Sequence, residues 1–159
     1  MDFSSLFNYP GKKEEIKQEE FIFMSDLSAE DWLKIFDLTE IYIFKKGEIV
    51  VHSGDTERVL YIVKSGFLEV FIPQKNKTTG KKINNVNEGS VFGELSFFDG
   101  RPRSASVRAI TDGEIMSLSI SAFEILSARD PELSRKMLLD LARILSIRIR
   151  QLTFKLIEL

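Results

Sequence analysis

The sequence predicts an α+β protein that is mainly β, an antiparallel β-roll of the jelly-roll or barrel type with helices before and after it. Three observations carry this. Between Ile41 and Ile120 short β-rich pieces alternate with glycine-containing turns; a capped amphipathic stretch precedes them; and from Pro131 onward the chain runs without Gly or Pro. At 159 residues and a mean hydropathy of -0.05, one globular unit with its own core is expected.

In chain order, residues 1–20 read as a polar leader with Pro10-Gly11 and the charged run KKEEIKQEE, a solvated face. Residues 21–159 form the expected domain. Ser28, with Asp31 three residues on, is a helix N-cap signal ahead of Trp32, Leu33, Ile35 and Phe36, because the hydroxyl can accept an otherwise unpaired amide. The strands expected over about 41–120 are IYIF, EIVVH, VLYIVKS, FLEVFI, KKINNV, SASVRAI and EIMSLSI. Turns are expected at Lys46-Gly47, Ser53-Gly54-Asp55, Ser65-Gly66, Thr79-Gly80, Glu88-Gly89 and Asp112-Gly113. A helical SAFEILSARD follows. Pro131 then suits the first turn of a long helix over about 131–159, where its missing N–H costs nothing. Along that helix Leu138, Ala142, Leu145, Ile149, Leu152, Leu156 and Leu159 form a heptad seam that favours a parallel homodimer. Met137, Leu141 and Ile144 form a second stripe, read as docking on the roll.

Composition narrows the chemistry. The net charge of -2 lacks the basic excess of a nucleic-acid binder, so no nucleic acid is expected as a partner of this chain alone. With no Cys, disulfides and thiolate chemistry are out. With His52 as the only histidine, metal clusters and Ser-His catalysis lose their usual ligand or base, so no metal, no cofactor and no catalytic residue is expected. The N-terminus lacks a secretory pattern and no apolar run of spanning length occurs, so a cytoplasmic protein without a membrane partner is expected.

The functional signal is FGELSFFDGRPRSASV, Phe92 to Val107. Gly93 removes a Cβ that would keep a ligand from the backbone. Glu94 can accept hydrogen bonds from a sugar diol. GELSFF can form one helical turn with outward amides. Nine positions after Glu94, Arg103 offers a planar fork for phosphate oxygens, with Ser104 and the Ala105 amide as further donors. Together these make a receptor for a sugar phosphate. The competing structural reading pairs Glu94 with Arg103 or Arg108 as a salt bridge.

This stretch resembles the phosphate-binding cassette of cyclic nucleotide-binding domains, the module of catabolite-activator-type regulators, cyclic nucleotide-dependent kinases and cyclic nucleotide-gated channels. FKKGEIVVHSGDTERVLYIVKSGFLEV, Phe44 to Val70, is similar to that family's first strands and turns. The resemblance implies a β-roll and a non-catalytic sensor whose ligand is cAMP or cGMP. It places Glu94 on the ribose 2′-hydroxyl with the Gly93 and Glu94 amides nearby, and Arg103 on the cyclic phosphate with Ser104 and Ala105. The full candidate set is Phe92, Gly93, Glu94, Leu95, Arg103, Ser104, Ala105 and Ser106, with Ile83, Val91, Phe92 and Val107 as candidate pocket wall. Serine at position 104 suits either nucleotide, and the reading favours cAMP. The terminal helix is implied as a lid over the purine and a dimer element. Ser96 and Phe97-Phe98 depart from the family's smaller residues and are expected to affect packing. Arg101 is read as solvated, and Arg143, Arg148 and Arg150 are expected mostly to face solvent.

Two other readings stand beside the sensor: an interaction module of the same fold that has lost its ligand, which Glu94 and Arg103 argue against, and a cupin-like metal enzyme, which the single histidine argues against. A transcription factor of this family needs a winged helix-turn-helix after the dimer helix, and the sequence ends at Leu159, so a stand-alone module or part of a longer regulator is expected.

Overall fold

A computed structural model describes residues 16–157, so that most of the leader and Leu159 of the seam lie outside the described residues. After a 3-10 turn, Gln18–Phe21, helix α1 spans Ala29–Phe36. Its cap is the expected one: Ser28 Oγ accepts from the Asp31 amide at 3.1 Å. Eight strands follow: β1 Glu40–Phe44, β2 Ile49–Val51, β3 Val59–Ser65, β4 Leu68–Gln74, β5 Lys77–Val86, β6 Val91–Phe92, β7 Ser106–Ala109 and β8 Gly113–Ser119. A short helix, α2 Glu94–Asp99, separates β6 from β7, and α3 Ile120–Arg129 and α4 Pro131–Ile157 close the chain.

The strands form two four-stranded sheets, ordered β1-β8-β3-β6 and β2-β7-β4-β5, with all pairings antiparallel. In the first sheet the strands β3 and β8 are covered on both faces, which explains their apolar runs, whereas the edge strand β1 is exposed up to Phe44. Leu60 and Ile62 of β3 and Met116 and Leu118 of β8 point to the helices, where Phe23, Ile35, Phe97, Phe123, Leu126, Leu133, Met137, Leu141 and Ile144 meet them. The alternate residues, Val63 and Ile115, face the roll interior with Phe44, Val51, Leu68, Val86, Phe92 and Val107. The stripe Met137, Leu141, Ile144 thus docks on the protein's own roll, as its spacing predicts. The seam stays outside: Leu138, Ile149, Leu152 and Leu156 are exposed, while Leu145 is half-buried.

Two local expectations need correction. Thr79-Gly80 is no turn. The β4–β5 hairpin reverses earlier, where Asn76 takes φ 72°, a left-handed conformation that asparagine tolerates. Gly80 lies inside β5 beside a register shift, and a Cβ there would stand 2.6 Å from the Phe71 ring, so the glycine serves close approach across the strands. The piece SASVRAI begins as a strand only at Ser106, leaving Ser104 and Ala105 in the loop, and the two-residue β6 carries no pattern long enough to see in the sequence. None of the described helices is long and apolar enough to cross a membrane.

Candidate functional site

A cavity of about 180 Å³ opens between the second sheet and the β6–β7 segment. Its walls include Val51, Val70, Ile83, Val86 and Val107, its rim Glu94, Leu95, Ser104 and Ala105, and its floor Phe92, Gly93 and Arg103. Seven of the eight predicted site residues therefore converge on one space. Ser106 does not: its hydroxyl turns away to accept from the Ser53 amide at 2.9 Å, tying β7 to the β2–β3 loop. Of the candidate wall residues, Ile83, Phe92 and Val107 line the cavity, whereas Val91 points to the helical side and packs in that core.

The loop that carries Arg103 is fixed by backbone bonds to the β2–β3 loop. The Arg103 amide donates to the Asp55 carbonyl at 2.8 Å, and the Arg103 carbonyl accepts from Gly54 at 2.9 Å. The guanidinium is fixed as well. It donates through Nη1 to the Gly93 carbonyl at 2.7 Å and through Nη2 to the Val59 carbonyl at 2.8 Å, over the ring of Tyr61 with Cζ 5.5 Å from its centroid. Burial raises the Tyr61 hydroxyl above its ordinary range, so it stays neutral beside the cation. Arg103 is 6% exposed, yet a guanidinium carries five N–H donors, so these bonds orient it and leave others for an anion.

Gly93 is required for this arrangement. It sits at φ 82°, and a Cβ would lie 2.5 Å from Arg103 Nη1 and 2.9 Å from the Val59 carbonyl oxygen. The sequence suggests that the missing side chain admits a ligand; in the structure it admits the arginine. Gly93 is also the N-cap of α2, and Gly100, at φ 68°, ends that helix by donating its amide to the Ser96 carbonyl at 2.9 Å. Arg58 closes the same end through bonds to the Phe97 and Phe98 carbonyls, a contribution invisible in the local motif. Phe97 anchors α2 in the core, edge-on to Phe123, so the expectation that this departure affects packing is met. Arg101 is exposed, as read.

Glu94 is 7% exposed and forms an ion pair, but with neither arginine considered from the sequence. Arg108 pairs with Glu69 and covers the Phe71 ring. The partner of Glu94 is Arg148 of α4, which approaches its Oε1 through Nη1 and donates through Nη2 to the Val91 carbonyl at 2.6 Å. Arg148 lines the cavity and is largely buried, against the expectation that it faces solvent. Arg143 also has protein partners, Asp140 and the Glu20 and Ile22 carbonyls, which fasten α4 to the N-terminal segment. A signal for Arg148 exists: the docking stripe Met137, Leu141, Ile144 steps by four and three, and one more step of four reaches Arg148.

An antiparallel roll whose cavity presents a buried acid, a buried base and a loop of small residues defines a binding module for a small anionic ligand. A sequence-family model of the cyclic nucleotide-binding domain matches residues 43–130, and the chain belongs to that family. Among curated proteins it is 32% identical over 106 residues to the regulatory subunit of cAMP-dependent protein kinase from Emericella nidulans, covering 67% of this chain and 25% of that one. It is 27% identical over 99 residues to the cGMP-dependent protein kinase of Plasmodium berghei, covering 62% of this chain and 11% of that one. The chain thus spans less than a third of the length of these curated relatives. Among solved structures, a cyclic nucleotide-binding domain from Methylobacillus flagellatus superposes with a TM-score of 0.72 at 28% identity, covering 84% of this chain and 78% of that one. The catabolite activator protein of Thermus thermophilus superposes with a TM-score of 0.70 at 26% identity, covering 83% and 60%.

Proposed function

We propose that residues 21–159 act as a non-catalytic cyclic nucleotide sensor, with the phosphate of cAMP or cGMP against Arg103, Ser104 and the Ala105 amide and the ribose 2′-hydroxyl on Glu94. The carrying observation is that two buried charges, Arg103 and Glu94, line one cavity together with Gly93. A guanidinium held by neutral carbonyls keeps its full charge for a phosphate, and such charge-assisted bonds are the strong ones. A carboxylate accepts hydroxyl donors, which are what a ribose presents. The apolar wall of Val51, Val70, Ile83 and Val86 suits the faces of a purine. The relatives are named as cAMP- and cGMP-dependent proteins, which supports the ligand class and leaves the choice of base to measurement.

The output is proposed to run through α4 in a cytoplasmic homodimer. Ile149, Leu152 and Leu156 are 62%, 55% and 71% exposed and lie in the heptad register that a second copy would cover. Calorimetric titration with each nucleotide tests the ligand. A complex with at least one is expected, and failure of both would refute the sensor in favour of a fold kept for interaction alone. Light scattering tests the dimer: twice the chain mass is expected, and a concentration-independent monomer would refute it.

A further inference from the structure

We propose that the uncovered part of the first sheet, beside α1, is a docking groove for a basic amphipathic helix of a partner protein. The groove lies on the helical face of that sheet, away from the roll interior, so the proposal stands apart from the nucleotide reading.

Packing, shape and charge each contribute. Ile35 is the buried residue of α1, whereas Leu33 is 62% exposed and Phe36 is exposed as well. Trp32 and Phe36, one turn apart, bring their ring centroids within 5.8 Å. With Phe23, Ile62 and Met116, these three side chains line a groove of about 600 Å³. The apolar surface continues onto β1. Ile41 stands opposite Met116 and Ile43 opposite Glu114, directly opposed residues share a face of the sheet, and Ile43 is 63% exposed. Contiguous apolar surface of this kind with a polar rim marks a protein contact. The shape suits a helix: the neighbouring strands β3, β8 and β1, spaced about 4.8 Å apart, give a floor about 10 Å across, the diameter of a helix with its side chains. Apolar residues at i, i+3, i+4 and i+7 of such a helix would enter the groove. Charge then selects the partner's sign. Glu88 lines the groove, and Glu30 and Asp37, three positions before and four after Leu33, lie on the same side of α1. None of these three carboxylates forms an ion pair among the described residues. Lys64, the cation on the groove wall, is already paired with Glu114 at 2.9 Å. An acidic rim repels nucleic acid and anionic lipid, and it complements Lys and Arg flanking the apolar face of a helix.

Trp32 is the only tryptophan in the sequence, so its emission reports on the groove directly. The probes are two synthetic helices of about 18 residues with the same leucine face, one carrying lysines on its polar face and the other glutamates, each titrated into the full chain. The lysine helix should shift the emission to the blue and saturate, and the glutamate helix should bind at least about tenfold more weakly. No shift with either helix, or equal affinity for both, would overturn the proposal. Leu33→Asp, at an exposed position, should keep the melting temperature and abolish the response to the lysine helix; an unchanged response would place the binding elsewhere. Reversing the rim with Glu30→Lys and Glu88→Lys together should reverse the preference between the two helices, and an unchanged preference would overturn the role of the carboxylates. Before any helix is added, acrylamide should quench Trp32. A tryptophan already shielded would mean that the chain's own leader or a second copy covers the groove, and that too would overturn the proposal.

Discussion

The two charged ends of the cavity are built differently. Arg103 is held from within the roll: its donors meet carbonyls of Gly93 and Val59, and its own backbone is bonded to the β2–β3 loop. Every one of those partners is a main-chain group of the roll, so the arginine is oriented without any contact from α4. Glu94 is held from outside, by a side chain 54 residues further on in a helix that only partly packs on the roll. One end is preorganised and the other conditional. In the proposed sensor that difference would have a use, because the phosphate end is preorganised while the ribose end is in contact with α4.

The largest expected effect is at the rigid end. Arg103→Ala removes the proposed charged partner of the phosphate and should weaken nucleotide binding by about 100-fold or more in calorimetry, since bonds to charged groups contribute about 1.5–3 kcal/mol each. Retained affinity would mean that the phosphate sits elsewhere. Gly93→Ala should come next. Its Cβ collides with the Arg103 guanidinium and its φ of 82° is strained for alanine, so a lower melting temperature should accompany weaker binding. A fully stable variant with intact binding would show that the fork can move aside after all.

At the conditional end the expected loss is smaller. Glu94→Ala deletes the proposed ribose acceptor and also leaves the Arg148 guanidinium without its carboxylate. A loss of about tenfold is expected, and one as large as that of Arg103→Ala would erase the contrast between the ends. The smallest effect concerns the junction between α3 and α4. Asp130 precedes Pro131, accepts from the Leu133 amide at 3.0 Å and pairs with Lys34 of α1, and these bonds hold its carboxyl below the ordinary aspartate range. A depressed folded value means that the contribution is complete above the unfolded value near 3.9 and fades as the pH falls through the folded one. Asp130→Asn should accordingly lower the melting temperature slightly at neutral pH, with the difference closing in acid. A difference that persists unchanged at pH 2 would assign the effect to geometry.

Much of the fold was legible because its determinants are local. Ser28 caps α1 through a residue three positions away, glycines mark the turns, and the docking stripe repeats at helical spacing. Glu94 and Arg103 were legible for the same reason, since α2 and the Arg-Pro-Arg bend bring them together within a single segment. The errors fall where a distant partner decides. Gly80 looked like a turn because glycine permits one, but Phe71 across the sheet uses its missing Cβ instead. The local motif cannot name Val59 as a partner for Arg103, since that carbonyl arrives from another strand.

By itself, then, the sequence determined the succession of elements, the face of α4 that docks and the acid and base of the cassette. These depend on periodicity, capping and chain reversal over a few residues. Only the tertiary structure decided which counter-charge Glu94 takes. That choice depends on the angle at which α4 crosses the roll and brings Arg148 beside Val91 and Glu94, an angle set by the packing of Leu133, Met137, Leu141 and Ile144 on both chain-distant strands and helices, which no local pattern encodes.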